Sequence, residues 1–436
     1  MKKKLCFILI CMLTISMLAA CGKSTTPVGS STPTAIAESP TPSASQEPAQ
    51  INKDVTLTVY GLTAPLKETL DLMCAEFEKE MGIKVEWEIP PDQPYTVLKA
   101  RFATGEGPDI FSIGNGAYEA WQDRCADLTG AAWIEKGYES AIKPANINGK
   151  QLGFPLSFEG NGIIYNKDIF AKAGIDKIPQ TLDELEAVCK KLKEQGIQPF
   201  GEAYKEWGFL MHLFGVPFAY DEDIVAVNNK IKKGEMELKD MAYMDNMFRF
   251  YDLTLDYGLG AESIGFGAAD QRESFAGGKS AMIKQGTWYT SLLKINPNLN
   301  MGTFAIPLDN DPSHTKFLTA TTNYLAVNND SPHVEEAKLF LEWIHKNMGT
   351  YFVEKLKVAP PYHDIVLKDM GPLFNDMTEY TKNGMSFGYF GTEFWPDGFK
   401  TDIAASLQAY AAKVMTKEQA LAELQKAYMD RAAASN

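Results

Sequence analysis

Three places in the chain set a tryptophan among hydrogen-bonding neighbours in loop-like surroundings. Trp207 follows Glu202, Tyr204 and Glu206. Trp288 and Tyr289 follow Gly286-Thr287. Phe394 and Trp395 stand between Glu393 and Pro396-Asp397. Flat indole faces next to carboxylates and amides suit a ligand with apolar C–H faces and polar hydroxyl edges, which is the surface of a sugar ring. A single tryptophan is more often core than platform, so the weight rests on all three together.

Other arrangements lack the geometry that their chemistry requires. Gly277-Gly278-Lys279-Ser280 resembles the end of a phosphate-binding loop, but Glu273 occupies the position that needs glycine. Gly114-Asn115-Gly116 has Glu119 where a dinucleotide fingerprint has its third glycine. The histidines (His212, His314, His333, His345, His363) are scattered without metal-ligand spacing. No cofactor or metal is expected. Paired carboxylates remain open in so acidic a chain, and Glu159 with a second carboxylate would make a glycosidase. A formal charge of −14 argues against nucleic acid as a partner.

The elements that must carry these residues read as α/β. Val55, Leu57 and Val59 alternate as a strand. Leu66, Leu70, Met73 and Phe77 recur at helical spacing up to Gly82, and Ile83, Val85, Trp87 and Ile89 alternate again. Strand, helix and strand in such succession form a βαβ unit. A helix over 96–103 and the apolar run 110–113 follow. Thr181-Leu182-Asp183-Glu184 is a capping box, with Gly196 closing its helix. Residues 239–257, 333–348 and 403–429 also read as helices.

The amino-terminal end addresses the compartment. Lys2, Lys3 and Lys4 precede an apolar stretch from Leu5 to Met17, too short to span a bilayer, and Leu18-Ala19-Ala20-Cys21-Gly22 follows. The Leu-Ala-Ala-Cys string resembles a bacterial lipobox, which predicts cleavage after residue 20 and lipidation of Cys21. Residues 23 to about 50 are rich in Ser, Thr, Pro and Ala and read as a tether reaching about 30 Å. Cys74, Cys125 and Cys189 have no CxxC or metal spacing and read as buried apolar residues.

From about 55 to 430 the chain resembles family 1 extracellular solute-binding proteins, the group that includes maltodextrin binders. Five segments carry the likeness, in the family's order. They are Phe102-Ala103-Thr104-Gly105-Glu106-Gly107-Pro108-Asp109-Ile110, with Leu128-Thr129 after it, and Gly153-Phe154-Pro155 with Ile164-Tyr165-Asn166-Lys167-Asp168-Ile169-Phe170 and Ala173-Gly174-Ile175. Then come Pro179-Gln180-Thr181-Leu182-Asp183-Glu184-Leu185, Phe275-Ala276-Gly277-Gly278-Lys279-Ser280-Ala281-Met282, and Gly286-Thr287-Trp288. Leu182 replaces the family's usual tryptophan.

The resemblance implies a two-lobed periplasmic-binding-protein type II fold. Each lobe would be a mixed sheet flanked by helices, with the ligand cleft between lobes. The expected divisions are a signal peptide at 1–20 and the lipidated tether at 21–50. An N-terminal lobe would comprise 51–160 and 318–346, and a C-terminal lobe 161–317 and 347–436. Crossings are expected near 157–162, 315–323 and 344–352. It further implies capture of an oligosaccharide by a monomer that touches the membrane only through its lipid and delivers to an ABC permease.

Carried over residue by residue, the implied sugar contacts are Glu159, Glu202, Tyr204, Trp207, Trp288 and Trp395. Asn115 and Tyr118 stand where charged and aromatic contacts are usual. Asp109, Asn323 and Tyr324 complete the candidates. A surface glycosidase, a binder of a non-sugar solute and an adhesive lipoprotein are the competing readings.

Overall fold

The computed structural model describes residues 51–62, 66–90, 94–114, 121–220, 224–388, 391–396 and 398–434. The expected export segment, the expected lipidation site Cys21 and the expected tether lie outside these residues, as do Asn115 and Tyr118. The strands are β1 (Thr56–Tyr60), β2 (Lys84–Glu88), β3 (Ile110–Gly114), β4 (Asn146–Ile147), β5 (Lys150–Gln151), β6 (Phe154–Pro155) and β7 (Glu159–Asn166). They continue with β8 (Gln198–Phe200), β9 (Ser280–Gly286), β10 (Met301–Phe304), β11 (Phe317–Ala320), β12 (Asn323–Val327) and β13 (Ser386–Gly388).

The first sheet has the order β2-β1-β3-β12-β6. Its opening is the predicted βαβ unit. The helix Lys67–Met81 buries Leu70, Met73, Cys74 and Phe77 on one stripe, and Gly82 ends it at φ 76°, a backbone region that favours glycine. Strands β1, β2 and β3 run parallel, while β12, from far later in the chain, lies antiparallel between β3 and β6. The second sheet has the order β13-β11-β7-β9-β8, and β10 also pairs with β7. Each sheet is covered by helices over its own apolar core.

The chain passes from the first sheet to the second between Pro155 and Glu159, and returns between Ala320 and Asn323. These two passages are tied side by side. The Leu156 amide donates to the Asn323 carbonyl at 3.0 Å, and the Ser157 and Thr322 hydroxyls stand 3.0 Å apart. The Phe158 amide donates to Ala359 O at 2.7 Å, which brings a third segment alongside.

That third passage lies later than the expected 344–352, and the boundary at 346/347 moves with it. Ile344, Met348, Tyr351 and Phe352 extend the apolar stripe of the helix Val334–Met348 into a π-helical turn, Gly349–Leu356, and all four remain in the first core. The chain reaches the second sheet only with the helix Pro372–Lys382, whose Phe374 and Met377 pack with Phe317.

Other elements differ from the sequence pattern in detail. Tyr243, at φ 63°, delays the helix expected from 239 until Met244–Asp256. The C-terminal helix is two, Phe399–Ala411 and Lys417–Ala434. Lys413 turns left-handed at φ 58°, and a box of Thr416 and Gln419 restarts the helix. In the predicted capping box, Thr181 Oγ1 accepts the Glu184 amide, but Glu184 reaches past it to the Gln180 amide at 2.7 Å. Cys74, Cys125 and Cys189 are buried free thiols, each pushed up to about 12 by burial.

Candidate functional site

Strand direction concentrates the candidate residues. The second sheet meets the passages at the start of β7 and at the carboxyl ends of β8, β9, β11 and β13. Glu159 opens β7, Glu202 to Trp207 follow β8, and Trp288 follows β9. Loops at strand carboxyl ends are where open α/β sheets bind ligands.

Two side chains are fixed next to each other there. Asn161 lies opposite Gly286 across the β7–β9 pair, and the Gly160 amide donates to Thr287 Oγ1 at 3.1 Å. One buried hydrogen bond therefore joins the residue after Glu159 to the residue before Trp288. The indole is folded back over Gly286. A Cβ at that glycine would fall 2.1–2.5 Å from Cζ3, Cη2 and Cε3 of the Trp288 ring. Behind the indole stands His212 of the helix Trp207–Phe214, with ring centroids 5.6 Å apart. Burial, with Lys284 and Lys400 adding to it, pushes this imidazole down to about 3, so it is neutral at physiological pH.

The chain has seven tryptophans, and Trp207 and Trp288 are the two that are substantially exposed, 46% and 36%, while the others are 8% exposed or less. Glu159 is half-buried, and desolvation raises its carboxyl above the usual glutamate value.

Several predicted contacts have other employment. Trp395 is 5% exposed and packed among Phe214, Phe218 and Phe399, so it is a core residue. Tyr204 is 1% exposed, and its hydroxyl pairs with Thr254 Oγ1 at 2.7 Å. Tyr324 is buried and donates to Ala141 O at 2.9 Å. Asp109 is buried in the first lobe. Its Oδ2 accepts the Thr58 amide and hydroxyl, and its Oδ1 accepts the Ser331 hydroxyl, so it holds its own loop. Asn323 stays part-exposed at the second passage, its amide donating to Thr322 Oγ1 at 3.1 Å.

Glu202 is also buried, and its role is to position. Its carboxylate accepts the Lys284 backbone amide at 2.5 Å and Gln271 Nε2 at 3.4 Å. Gln271 Oε1 in turn accepts the Tyr289 hydroxyl and Gln285 Nε2, each at 2.9 Å. The network fastens the loop carrying Trp207 to the segment carrying Trp288. Burial pushes the Glu202 carboxyl up to about 8 and the Lys284 ammonium down to about 7.

Sequence reasoning missed His212, Thr287 and Asn161. Asn161 had a signal: it stands two residues after Glu159, on the same face of a strand. His212 and Thr287 had none, since their parts depend on the pairing of distant strands. Among the described residues no group of three His, Cys, Asp or Glu could hold a metal ion, and no helix is long and apolar enough to cross a membrane.

Paired passages between two α/β lobes, with recognition groups at the strand ends beside them, make a receptor for a small solute. The sequence profile of the bacterial extracellular solute-binding proteins matches residues 61–349, and the chain belongs to that family. It is similar to the melibiose/raffinose/stachyose-binding protein MelE of Bacillus subtilis, 23% identical over 86% of this chain and 89% of the relative. It is also similar to the multiple sugar-binding protein of Streptococcus mutans, 27% identical over 66% of this chain and 71% of the relative. Among solved structures it shares its fold with the apo form of RafE from Streptococcus pneumoniae. The TM-score is 0.73 at 23% identity, over 89% of this chain and 100% of the other.

Proposed function

We propose that this protein is the substrate-binding component of an ABC importer, capturing an oligosaccharide between its lobes and presenting it to a membrane permease. The observation that carries this reading is the exposure of Trp207 and Trp288 alone among the tryptophans, both following carboxyl ends of second-sheet strands, β8 and β9. The indoles would stack on sugar rings, and Glu159 and Asn323 would accept or donate hydrogen bonds at hydroxyls. Asn115 and Tyr118 would add further contacts. The relatives support the ligand class: MelE is named for melibiose, raffinose and stachyose, and a solved neighbour is RafE in complex with raffinose.

The protein would work as a monomer outside the cytoplasmic membrane, held by lipid on Cys21, without catalysis. Closure about the tied passages would mark the loaded state for the permease. The glycosidase reading has less support, since the relatives are named as sugar-binding proteins.

Titration calorimetry against raffinose, stachyose, maltotriose and diacetylchitobiose tests the reading. Binding near micromolar, about −8 kcal/mol, is expected for at least one of them. Silence toward all four, or steady release of reducing ends, sinks it.

A further inference from the structure

The described side chains include one carboxamide whose place in the fold is explained neither by packing nor by hydrogen bonding. Asn161 is 3% exposed, and neither its Oδ1 nor its Nδ2 has a hydrogen-bond partner. Its sheet neighbours are Gly286 on one side and Leu318 on the other. A buried amide that leaves both polar atoms unmet destabilises the fold, and an apolar residue of the same shape would not.

The pairing register says what the amide faces. Residues directly opposite in an antiparallel pair project from the same face, about 5 Å apart at Cβ. The Cβ position of Gly286 is filled by the six-membered ring of Trp288. The Asn161 side chain therefore rises beside that ring, one cross-strand spacing away. Glu159, two residues earlier on β7, projects from the same face. An exposed indole, a part-buried carboxylate and an unmet carboxamide thus share one corner of the sheet, at the passage between lobes.

We propose that Asn161 is a specificity-determining contact for the sugar ring that stacks on Trp288, its carboxamide donating to one ring hydroxyl and accepting from the adjacent one. A carboxamide offers two N–H donors and two acceptor lone pairs, the complement of a vicinal diol. This rests on the carbohydrate reading of the site and adds to it which group reads hydroxyl configuration. A site built to hydrogen-bond hydroxyls rejects a ring that lacks one.

The test compares wild type with Asn161→Leu and Asn161→Asp, measuring thermal unfolding without ligand and calorimetric binding of the sugars above. Asn161→Leu is expected to raise the unfolding midpoint while weakening sugar binding at least tenfold. Asn161→Asp, which keeps the acceptors and loses the donors, is expected to bind less tightly than wild type and carries the test should the leucine variant misfold. A purely structural amide predicts the reverse pattern, a lowered midpoint with unchanged affinity in the folded fraction, and that result overturns the assignment. Sugar binding by the wild type that both variants retain in full overturns it too and leaves the carbohydrate reading standing. No binding by the wild type to any sugar overturns both.

Discussion

The hydroxyls of Ser157 and Thr322 stand 3.0 Å apart, and they join the outward passage between the lobes to the return passage. The bond links residues far apart in the chain, beside the backbone pairing that joins Leu156 to Asn323. Ser157→Ala and Thr322→Val are each expected to cost about 1 kcal/mol of unfolding free energy. The double variant should cost less than the sum, with a coupling of about 1 kcal/mol in urea melts. Strict additivity would mean that the two hydroxyls do not interact in solution.

Trp288 and Trp395 should part company on substitution. Trp288→Ala is expected to weaken sugar binding by about 2 kcal/mol, roughly thirtyfold, by calorimetry. Trp395→Phe should leave affinity unchanged. It should lower stability by about 1–3 kcal/mol through the space left beside Phe214, Phe218 and Phe399, with no hydrogen bond lost because the Trp395 Nε1 has no partner. Equal losses of affinity in both variants would reinstate Trp395 as a contact.

Gly286→Ala tests the posture of the indole. The added methyl would meet the Trp288 ring at 2.1–2.5 Å, so the ring must swing away. Affinity should fall about as far as in Trp288→Ala, with tryptophan fluorescence shifted to the red. An unchanged spectrum and unchanged affinity would contradict the folded-back ring.

Acidity enters through Glu159. Its carboxyl is raised by burial, so folding favours the protonated form. The stability this brings is complete below the ordinary glutamate value and fades as pH rises through the raised one, with a slope of at most about 1.4 kcal/mol per pH unit. Glu159→Gln should therefore unfold at higher urea than wild type at neutral pH, the difference closing as pH falls toward 4. A difference that widens on acidification would reverse the assigned direction.

Asp109→Ala separates architecture from recognition in the first lobe. Losing three accepted hydrogen bonds and stranding the Thr58 amide should cost about 2–4 kcal/mol. Sugar affinity measured well below the unfolding transition should not change. A selective loss of affinity would return Asp109 to the ligand site.

Much of the scaffold was legible because its signals are local. The stripe Leu70, Met73, Cys74 and Phe77, the alternation in β1 and β2 and the stop at Gly82 each lie within one short window. The left-handed residues Tyr243 and Lys413 were not legible, since neither is of a type that announces such a turn. Segment likeness proposes Trp207, Trp288 and Glu159 as site residues on the same footing as the buried Tyr204 and Trp395. Telling them apart is a matter of burial, decided by which helices close over the second core. Asn161 falls within the crossing expected at 157–162, where nothing in the sequence but its spacing from Glu159 marks it. Its distinction comes from the register of β7 on β9, which brings a glycine opposite it and an indole over the glycine.

The confinement of Trp207, Trp288 and Glu159 to the rims of strands has a bearing on descent. None of them helps fill the hydrophobic interior beneath the second sheet, so an ancestor could exchange rim residues without repacking what lies below. On the proposed site, a lineage of such receptors would retune its diet through a few positions following β8 and β9 while inheriting the body intact. Grafting those two loops between relatives is the laboratory counterpart of that history.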